Sequence, residues 1–230
     1  MASKSVLREK LAVGVSDRLP ERSEWGRIAE RLRRTEAYRQ AHWVFVGPAD
    51  ILSQIRINVL MDGKELIMPS PALKEGFFLC RPSDIPFARR SFAVSFKGLA
   101  QFGYKIGLDD FTGLDIGLFV ADTLAWDQSG NRLGDGMGFF DLSWALLKTL
   151  GAMSDRGAVL GVGGRAQCVD LLPVDPWDVK MDGMITEDGI DVFANDQIKG
   201  VLFWEQLPAK RIRKMSLLWK LSNTITPCSS

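Results

Sequence analysis

The sequence predicts an α/β fold of three layers, α/β/α, with a largely parallel central sheet. Short apolar segments recur along the chain, and their hydrophobicity is continuous rather than alternating, which is typical of strands covered on both faces. Helical patterns separate several of these segments and can serve as crossovers between parallel strands. The apolar segments are residues 43–46, 65–70, 92–96, 116–121, 159–163 and 183–186.

Helices are predicted at four places around these strands. The first begins near Lys4 and puts Lys4 and Arg8 one turn apart on a common face, which is either a solvated surface or part of a binding site. The second follows Pro20 and ends in the basic sequence RLRR, which suits the negative end of a helix dipole. Two further helices, near residues 49–61 and 138–151, supply crossovers between strands.

The composition indicates one globular domain with a short extension. Of the 230 residues, 46% are hydrophobic and 25% are charged, and the net charge is +1. We expect residues 1–205 to form the α/β domain and residues 206–230 to form a basic C-terminal extension, because the latter carry five basic residues and no acid. This extension is expected to pack on the domain or to be partly disordered. Its charges either stay solvated or contact an anionic surface such as nucleic acid, which the nearly neutral overall charge disfavours.

Other features bear on the cellular environment. No run approaches the roughly 18 apolar residues that a membrane span requires, and the charged N terminus does not have the pattern of a signal peptide. The three cysteines are widely scattered, which fits neither a disulfide framework nor the spacing of metal ligands. We therefore expect a cytoplasmic protein without membrane contact. The oligomeric state is not indicated by the sequence.

The segment NRLGDGMGFFD, residues 131–141, has glycines at every second position between a predicted strand and a predicted helix. Free N–H groups and the helix dipole favour an anion at such a corner, and Arg132 adds a planar fork of donors for phosphate oxygens. The spacing of Gly134, Gly136 and Gly138 is GxGxG, which is neither the Walker loop nor the dinucleotide fingerprint. A phosphate cradle and a tight structural turn both remain open.

Carboxylates follow this segment and recur later in the chain. Asp141 lies early in the predicted helix, where it either caps backbone N–H groups or holds a divalent cation. Asp175, Asp178 and Asp182 lie in a loop that is stiffened by prolines, and one of them could reach a metal ion. The single histidine, His42, precedes a predicted strand, which favours a packing or surface role over catalysis.

Three separated motifs occur in register. KSVLR at residues 4–8 is similar to KxxLR, residues 125–141 are similar to FDxxGxRLGxGxGYYD, and Gln167 with residues 171–188 is similar to a glutamine and a PxxxxDxxVD-like stretch ending in Thr-Glu. Together they resemble the signature of the 5-formyltetrahydrofolate cyclo-ligases, also called methenyltetrahydrofolate synthetases. The resemblance implies the cyclo-ligase-like three-layer fold, of the CoA-transferase-like class.

The resemblance also implies an enzyme, a C–N ligase that uses ATP and Mg²⁺ to convert a reduced folate, 5-formyltetrahydrofolate, into 5,10-methenyltetrahydrofolate. Phosphoryl transfer suits this residue set, because it depends on positioning and charge neutralisation more than on protein nucleophiles. The implied magnesium ligands are Asp141 and Asp178, and the implied catalytic residues are Arg132 and Asp50, although Asp50 could equally be a helix N-cap. The residues implied to bind nucleotide and folate are Lys4, Arg8, Arg132, Leu133, Gly134, Asp135, Gly136, Met137, Gly138, Phe139 and Phe140.

Several positions depart from the family pattern. Phe139 and Phe140 replace paired tyrosines, Met137 is bulky for its position in the loop, and Asp135 adds negative charge where anions should lie. The sequence VADTLAWD replaces a Val-Pro-Gly-like turn, and residues 69–78 are more similar to the methenyltetrahydrofolate-synthetase-domain branch. These departures support an alternative hypothesis, a divergent paralogue that binds a nucleotide or a phosphorylated small molecule without cyclo-ligase activity.

Overall fold

A mostly parallel sheet of eight strands forms the centre of the computed structural model, which describes residues 3–12, 18–194 and 202–225. Residues 195–201 of the predicted domain and 226–230 of the predicted extension lie outside the described residues. The strands are β1 (Trp43–Val46), β2 (Glu65–Pro69), β3 (Phe77–Cys80), β4 (Tyr104–Lys105), β5 (Ile116–Asp122), β6 (Ala125–Trp126), β7 (Arg132–Leu133), β8 (Met153–Val162), β9 (Gly183–Ile185) and β10 (Ile190–Val192).

The large sheet has the strand order β10-β9-β8-β5-β1-β2-β3-β4, and β6 pairs with β7 in a separate hairpin. Strands β9, β8, β5, β1 and β2 run parallel, whereas β3, β4 and β10 join antiparallel at the two edges. The helices are α1 (Lys4–Ala12), α2 (Arg22–Arg33), α3 (Glu36–Gln40), α4 (Ser53–Met61), α5 (Arg90–Ala93), α6 (Phe96–Phe102), α7 (Phe139–Thr149), α8 (Ala209–Lys214) and α9 (Ser216–Ile225).

The central strands are buried on both faces, as their continuous hydrophobicity predicts. Val44 and Leu118 belong to one hydrophobic cluster, whereas their neighbours Phe45 and Phe119 belong to the other, because successive side chains of a strand point to opposite faces. Helices α2 and α4 cover the first face, and α7 covers the second. The prediction of a three-layer α/β/α fold with a largely parallel sheet is confirmed.

The chain reverses its direction of travel across the sheet between β1 and β5. Helix α4 leads from β1 to β2 on one side, and its Ile55 and Val59 join the first cluster. Helix α7 lies between β5 and β8 on the opposite face, and its Leu142 and Leu146 join the second cluster. Open α/β sheets bind ligands in the crevice at such a switch point, outside the carboxyl ends of the strands. This crevice is therefore the expected place for a site.

One predicted strand was wrong. Residues 92–96, FAVSF, lie across the end of α5 and the start of α6 rather than in the sheet. Ser95 is the N-cap of α6, and its side-chain oxygen accepts a hydrogen bond from the Gly98 N–H at 3.0 Å. The continuous apolar run predicted a strand, but the capping serine begins a helix. The strand β3, with the sequence FFLC, pairs with β2 instead and was not predicted.

The C-terminal helices pack against the α/β domain. Met215, Leu217 and Leu218 are buried in the second hydrophobic cluster, and the backbone N–H of Ser216 donates to the carbonyl of Lys74 at 2.9 Å. These contacts hold α8 and α9 beside the crevice. Among the described residues, no helix is both long enough and apolar enough to cross a membrane.

Candidate functional site

A cavity of about 650 Å³ opens at the carboxyl ends of β1 and β5, at the switch point of the sheet. Residues 47–50 after β1 and Asp122 at the end of β5 form its floor, and the glycine segment with the start of α7 forms one wall. Lys4 and Arg8 from α1, the loop residues Asp175 and Asp178, and α8 complete it. The volume is within the range of small-molecule sites.

Two of the loop glycines lie so close to arginine side chains that an added Cβ atom would force those side chains to shift. A Cβ built on Gly134 would lie 2.8 Å from Arg132 Nη1, and one built on Gly136 would lie 3.1 Å from Arg8 Nε. Gly136 also has a φ of +92°, a conformation that residues with side chains rarely adopt. The bare backbone of this segment therefore lets Arg132 and Arg8 pack directly against the loop.

Arg8 reaches the loop as the sequence pattern of α1 suggests. Its Nε donates a hydrogen bond to the carbonyl oxygen of Gly134 at 2.9 Å. Lys4, one turn earlier on the same helix, lines the same cavity. The common face of α1 is therefore turned toward the site and is not merely a solvated surface.

The side chain of Arg132 is only 6% exposed. It forms an ion pair with Asp141 at 3.0 Å, donates to the Asp122 carbonyl at 3.2 Å, and stacks over the Phe140 ring at 4.7 Å. Its Nε is buried and has no hydrogen-bond partner among the described residues. A buried donor without a partner is costly, and an anion in the cavity is one group that could relieve that cost.

Lys4 lies between two carboxylates of the proline-containing loop. Its Nζ forms ion pairs with Asp175, at 2.7 Å, and with Asp178. Burial raises the pKa of Asp178, an effect opposed by the Asp175 N–H and by Lys4 and reinforced by the negative charge of Asp141. Asp141 itself accepts a hydrogen bond from the Val179 N–H at 3.0 Å, so it is held against this loop. Its carboxylate is therefore engaged with Arg132 and the loop.

The carboxylates do not form a self-sufficient metal site. Among the described residues, no group of three or more His, Cys, Asp or Glu side chains is arranged to hold a metal ion. Asp141 and Asp178 are both paired with cations. Mg²⁺, however, is commonly bound through one or two carboxylates together with substrate phosphates and waters. The two aspartates fit an ion that arrives with phosphate and do not fit one held by protein alone.

Comparison with known proteins agrees with this architecture. The family model for the 5-formyltetrahydrofolate cyclo-ligase family matches residues 1–187. The chain belongs to this family. It is 27% identical over 213 residues to a methenyltetrahydrofolate synthase domain-containing protein of Bos taurus, and 26% identical over 198 residues to that of Homo sapiens.

These alignments cover 90% and 84% of this chain but 55% and 51% of the relatives, so the chain spans about half the length of the relatives it matches. The NMR structure of Aquifex aeolicus 5,10-methenyltetrahydrofolate synthetase has the same fold, with a TM-score of 0.54 and 20% identity over 89% of this chain and 99% of that chain. The predicted family resemblance is confirmed, and so is its suggested closeness to the synthetase-domain branch.

Of the remaining candidate residues, some line the cavity and others lie outside it. Asp50 lines the cavity, and Ala49 rather than Asp50 occupies the N-cap position of the short turn before α4. Leu133 is 1% exposed and belongs to a separate hydrophobic cluster. Met137 is 54% exposed and is not among the residues that line the cavity, so its bulk does not narrow the site. Asp135, Phe139 and Phe140 do line it.

Asp122 was missed by the sequence analysis. It ends β5 within the altered turn VADTLAWD, and its carboxylate lies in the cavity beside Gly47, where a built Cβ would be 3.8 Å from Oδ1. Burial raises its pKa, while Arg132 lowers it and Asp135 raises it further. A residue at the end of a strand indicates a ligand site only if that strand borders the switch point, and the sequence alone does not show which strand does.

Asp122 should make the stability of the protein depend on pH. Because its pKa is raised on folding, the folded state holds the proton more tightly, and stability falls as the pH rises from the unfolded toward the folded pKa. Asp122→Asn should therefore raise the free energy of unfolding at pH 7, because the amide carries no charge to be desolvated. The gain should vanish at low pH, where Asp122 is protonated in both states. Urea denaturation at several pH values measures this.

The matched control for Asp122→Asn is Asp109→Asn, which changes an exposed aspartate outside the cavity. This control should leave stability nearly unchanged at every pH. If Asp122→Asn lowered stability at neutral pH, the carboxylate would be a structural anion rather than a group destabilised by burial.

Proposed function

We propose that this chain catalyses the ATP-dependent closure of 5-formyltetrahydrofolate to 5,10-methenyltetrahydrofolate. The observation that carries the proposal is the switch-point crevice itself, where Arg8 and Arg132 pack against the glycine segment and Lys4 lines the same cavity. Three cations beside exposed backbone amides suit a chain of phosphates, and membership of the cyclo-ligase family supports the reaction.

The nucleotide phosphates would lie along residues 134–138, where Arg132 and Arg8 can donate to phosphate oxygens. The Nε of Arg132 that now has no partner would donate to one of them. Trp177 and Phe203, whose rings lie 6.0 Å apart at the cavity wall, offer aromatic surface for a base or a pterin. Sequence analysis did not single out this pair, although Trp177 lies within the third motif.

Charge balance favours a divalent cation bound with the nucleotide. Among the described residues, six carboxylates but only four basic side chains line the cavity, so a bare triphosphate would meet net negative charge there. Asp141 and Asp178 would hold Mg²⁺, which would neutralise charge on the transferring phosphate. Lys4 would then be shared between its two carboxylates and the phosphates.

The reaction would proceed in two steps. The formyl oxygen attacks the terminal phosphorus and releases ADP, which leaves the formyl carbon activated as a phosphate ester of the imidate. N10 then attacks that carbon, the C–O bond breaks with loss of inorganic phosphate, and the N10 proton is released. Arg132 would stabilise charge on the transferred phosphoryl group, and Asp50, at the floor of the cavity, would accept a hydrogen bond from the folate.

The proposal is tested by following the ultraviolet absorbance of the methenyl product. Purified protein with 5-formyltetrahydrofolate, ATP and Mg²⁺ should form product with multiple turnovers, and omission of either ATP or Mg²⁺ should abolish it. Release of one inorganic phosphate per methenyl group should accompany the reaction. A protein that is folded and binds ATP but forms no product under these conditions is not a cyclo-ligase.

A second candidate is a paralogue that binds a nucleotide or phosphorylated molecule but does not close the folate ring. Asp122 favours it, since a buried carboxylate at the floor of the cavity changes which substrate groups can be accepted there. This candidate predicts thermal stabilisation by ATP without turnover, because a ligand that binds only the folded state raises its apparent stability.

A further inference from the structure

The C-terminal segment contributes an arginine to the cavity. Most basic side chains of α8, namely Lys210, Arg213 and Lys214, are exposed, whereas Arg211 is half-buried and lines the cavity. The following helix, α9, is anchored in the second hydrophobic cluster, so Arg211 is carried on a fixed element. Arg211 lies beyond residues 1–187, which the family model matches.

Arg211 faces the third glycine of the loop. A Cβ built on Gly138 would lie 3.9 Å from Arg211 Nη2, and the guanidinium stacks over the Phe139 ring at 5.4 Å. Its Nη2 donates to the Met137 carbonyl. Each of the three alternate glycines therefore has a guanidinium beside it, from α1, from β7 and from α8.

The environment of Arg211 is suited to an anionic ligand. Burial lowers the pKa of Arg211, which the charge of Asp135 opposes, and an arginine of this kind stays positive at neutral pH. One hydrogen bond to Met137 uses one of its five donors, so others can reach a ligand. Of the described residues that line the cavity, only four are basic against six carboxylates, so Arg211 supplies a quarter of the positive side chains there.

We propose that Arg211 binds the polyphosphate of the nucleotide, as a contact supplied by the C-terminal segment in addition to those from α1 and β7. This inference rests on the proposed phosphate site but not on folate chemistry. It assigns a ligand-binding function to α8 and predicts that discrimination of nucleoside triphosphates from monophosphates depends on a segment outside the region that defines the family.

The test measures binding of ATP, AMP and inorganic tripolyphosphate by calorimetry, each with Mg²⁺, to the full chain and three variants. Arg211→Ala should weaken ATP and tripolyphosphate by about tenfold or more, since charge-assisted hydrogen bonds are the strong ones, and should change AMP binding little. Arg211→Gln keeps a polar side chain of similar stem length but no charge, so it should weaken polyphosphate binding to a similar extent. Arg213→Ala removes an exposed charge from the same helix and should have no effect.

The inference is overturned if Arg211→Ala binds tripolyphosphate as the unchanged chain does, if ATP and AMP weaken equally, if Arg211→Gln restores binding, or if the unchanged chain binds no polyphosphate. Denaturation of each variant without ligand shows whether a loss reflects unfolding. Failure of the proposed function would be seen differently, as absence of cyclo-ligase turnover. If such a chain still bound tripolyphosphate through Arg211, the inference about Arg211 would remain valid.

Discussion

Replacing Arg132 by alanine is expected to lower the rate of methenyl product formation by about 100-fold or more, the usual effect of removing a preorganised donor that stabilises developing charge. The side chain is 6% exposed, and its loss leaves Asp141 without its ion-pair partner at the head of α7. Arg132→Lys should recover at most part of the lost rate, because lysine keeps the charge but lacks the planar fork. Steady-state kinetics with ATP and 5-formyltetrahydrofolate measure both variants.

Arg165→Ala is the matched control for this substitution. Arg165 also forms an ion pair, with Asp191 at 2.7 Å, and also stacks on an aromatic ring, that of Trp126 at 5.3 Å, but it does not line the cavity. The control should therefore lose a similar set of contacts and retain most of the turnover. Equal losses of turnover in the two variants would show that Arg132 acts through the fold and has no direct part in phosphoryl transfer.

Gly136→Ala is expected to impair nucleotide binding by about tenfold and to cost ~1–2 kcal/mol of stability, because it strains a backbone with φ of +92°. The new methyl group would lie 3.1 Å from Arg8 Nε and would push the guanidinium away from the loop. The hydrogen bond from Arg8 to the Gly134 carbonyl should weaken with it. Titration with ATP measures the first effect, and chemical denaturation measures the second.

Gly113→Ala separates backbone strain from the effect on the site. Gly113 has a φ of +98°, and a Cβ there meets no atom within 4 Å. This variant should lose a comparable amount of stability while binding ATP normally. Were both alanine variants to bind ATP equally well, the approach of Arg8 to the loop would have no importance for the nucleotide.

Much of the fold was predictable because the central strands are buried on both faces. Continuous apolar runs indicated β1, β2, β5 and β9, and the helical spacing of Lys4 and Arg8 indicated a shared face that the structure turns toward the cavity. The hydrophobic pattern gave a wrong prediction where a helix-capping residue lay within an apolar run. In residues 92–96, Ser95 caps α6, so the apolar run that predicted a strand joins two helices instead.

The parts of the site that escaped prediction depend on long-range packing. Arg211 belongs to a basic run that looks like a solvated tail, and only the burial of α9 brings it to Gly138. Asp122 is the last residue of β5, and it lies in the cavity only because β5 is next to β1 in the sheet. The residues around Asp122 do not reveal that strand order. The spacing of the glycines was visible, but the reason for it, three guanidinium groups packed beside them, required the fold.

The central claim is that residues 134–138 and the arginines beside them hold the phosphates of a nucleotide, and heteronuclear NMR of the backbone amides tests it most directly. Addition of ATP with Mg²⁺ should shift the amide signals of Gly136, Gly138 and Phe139, whereas adenosine at the same concentration should leave them in place. If ATP bound with these three signals unchanged, the phosphates would lie elsewhere and the claim would be wrong.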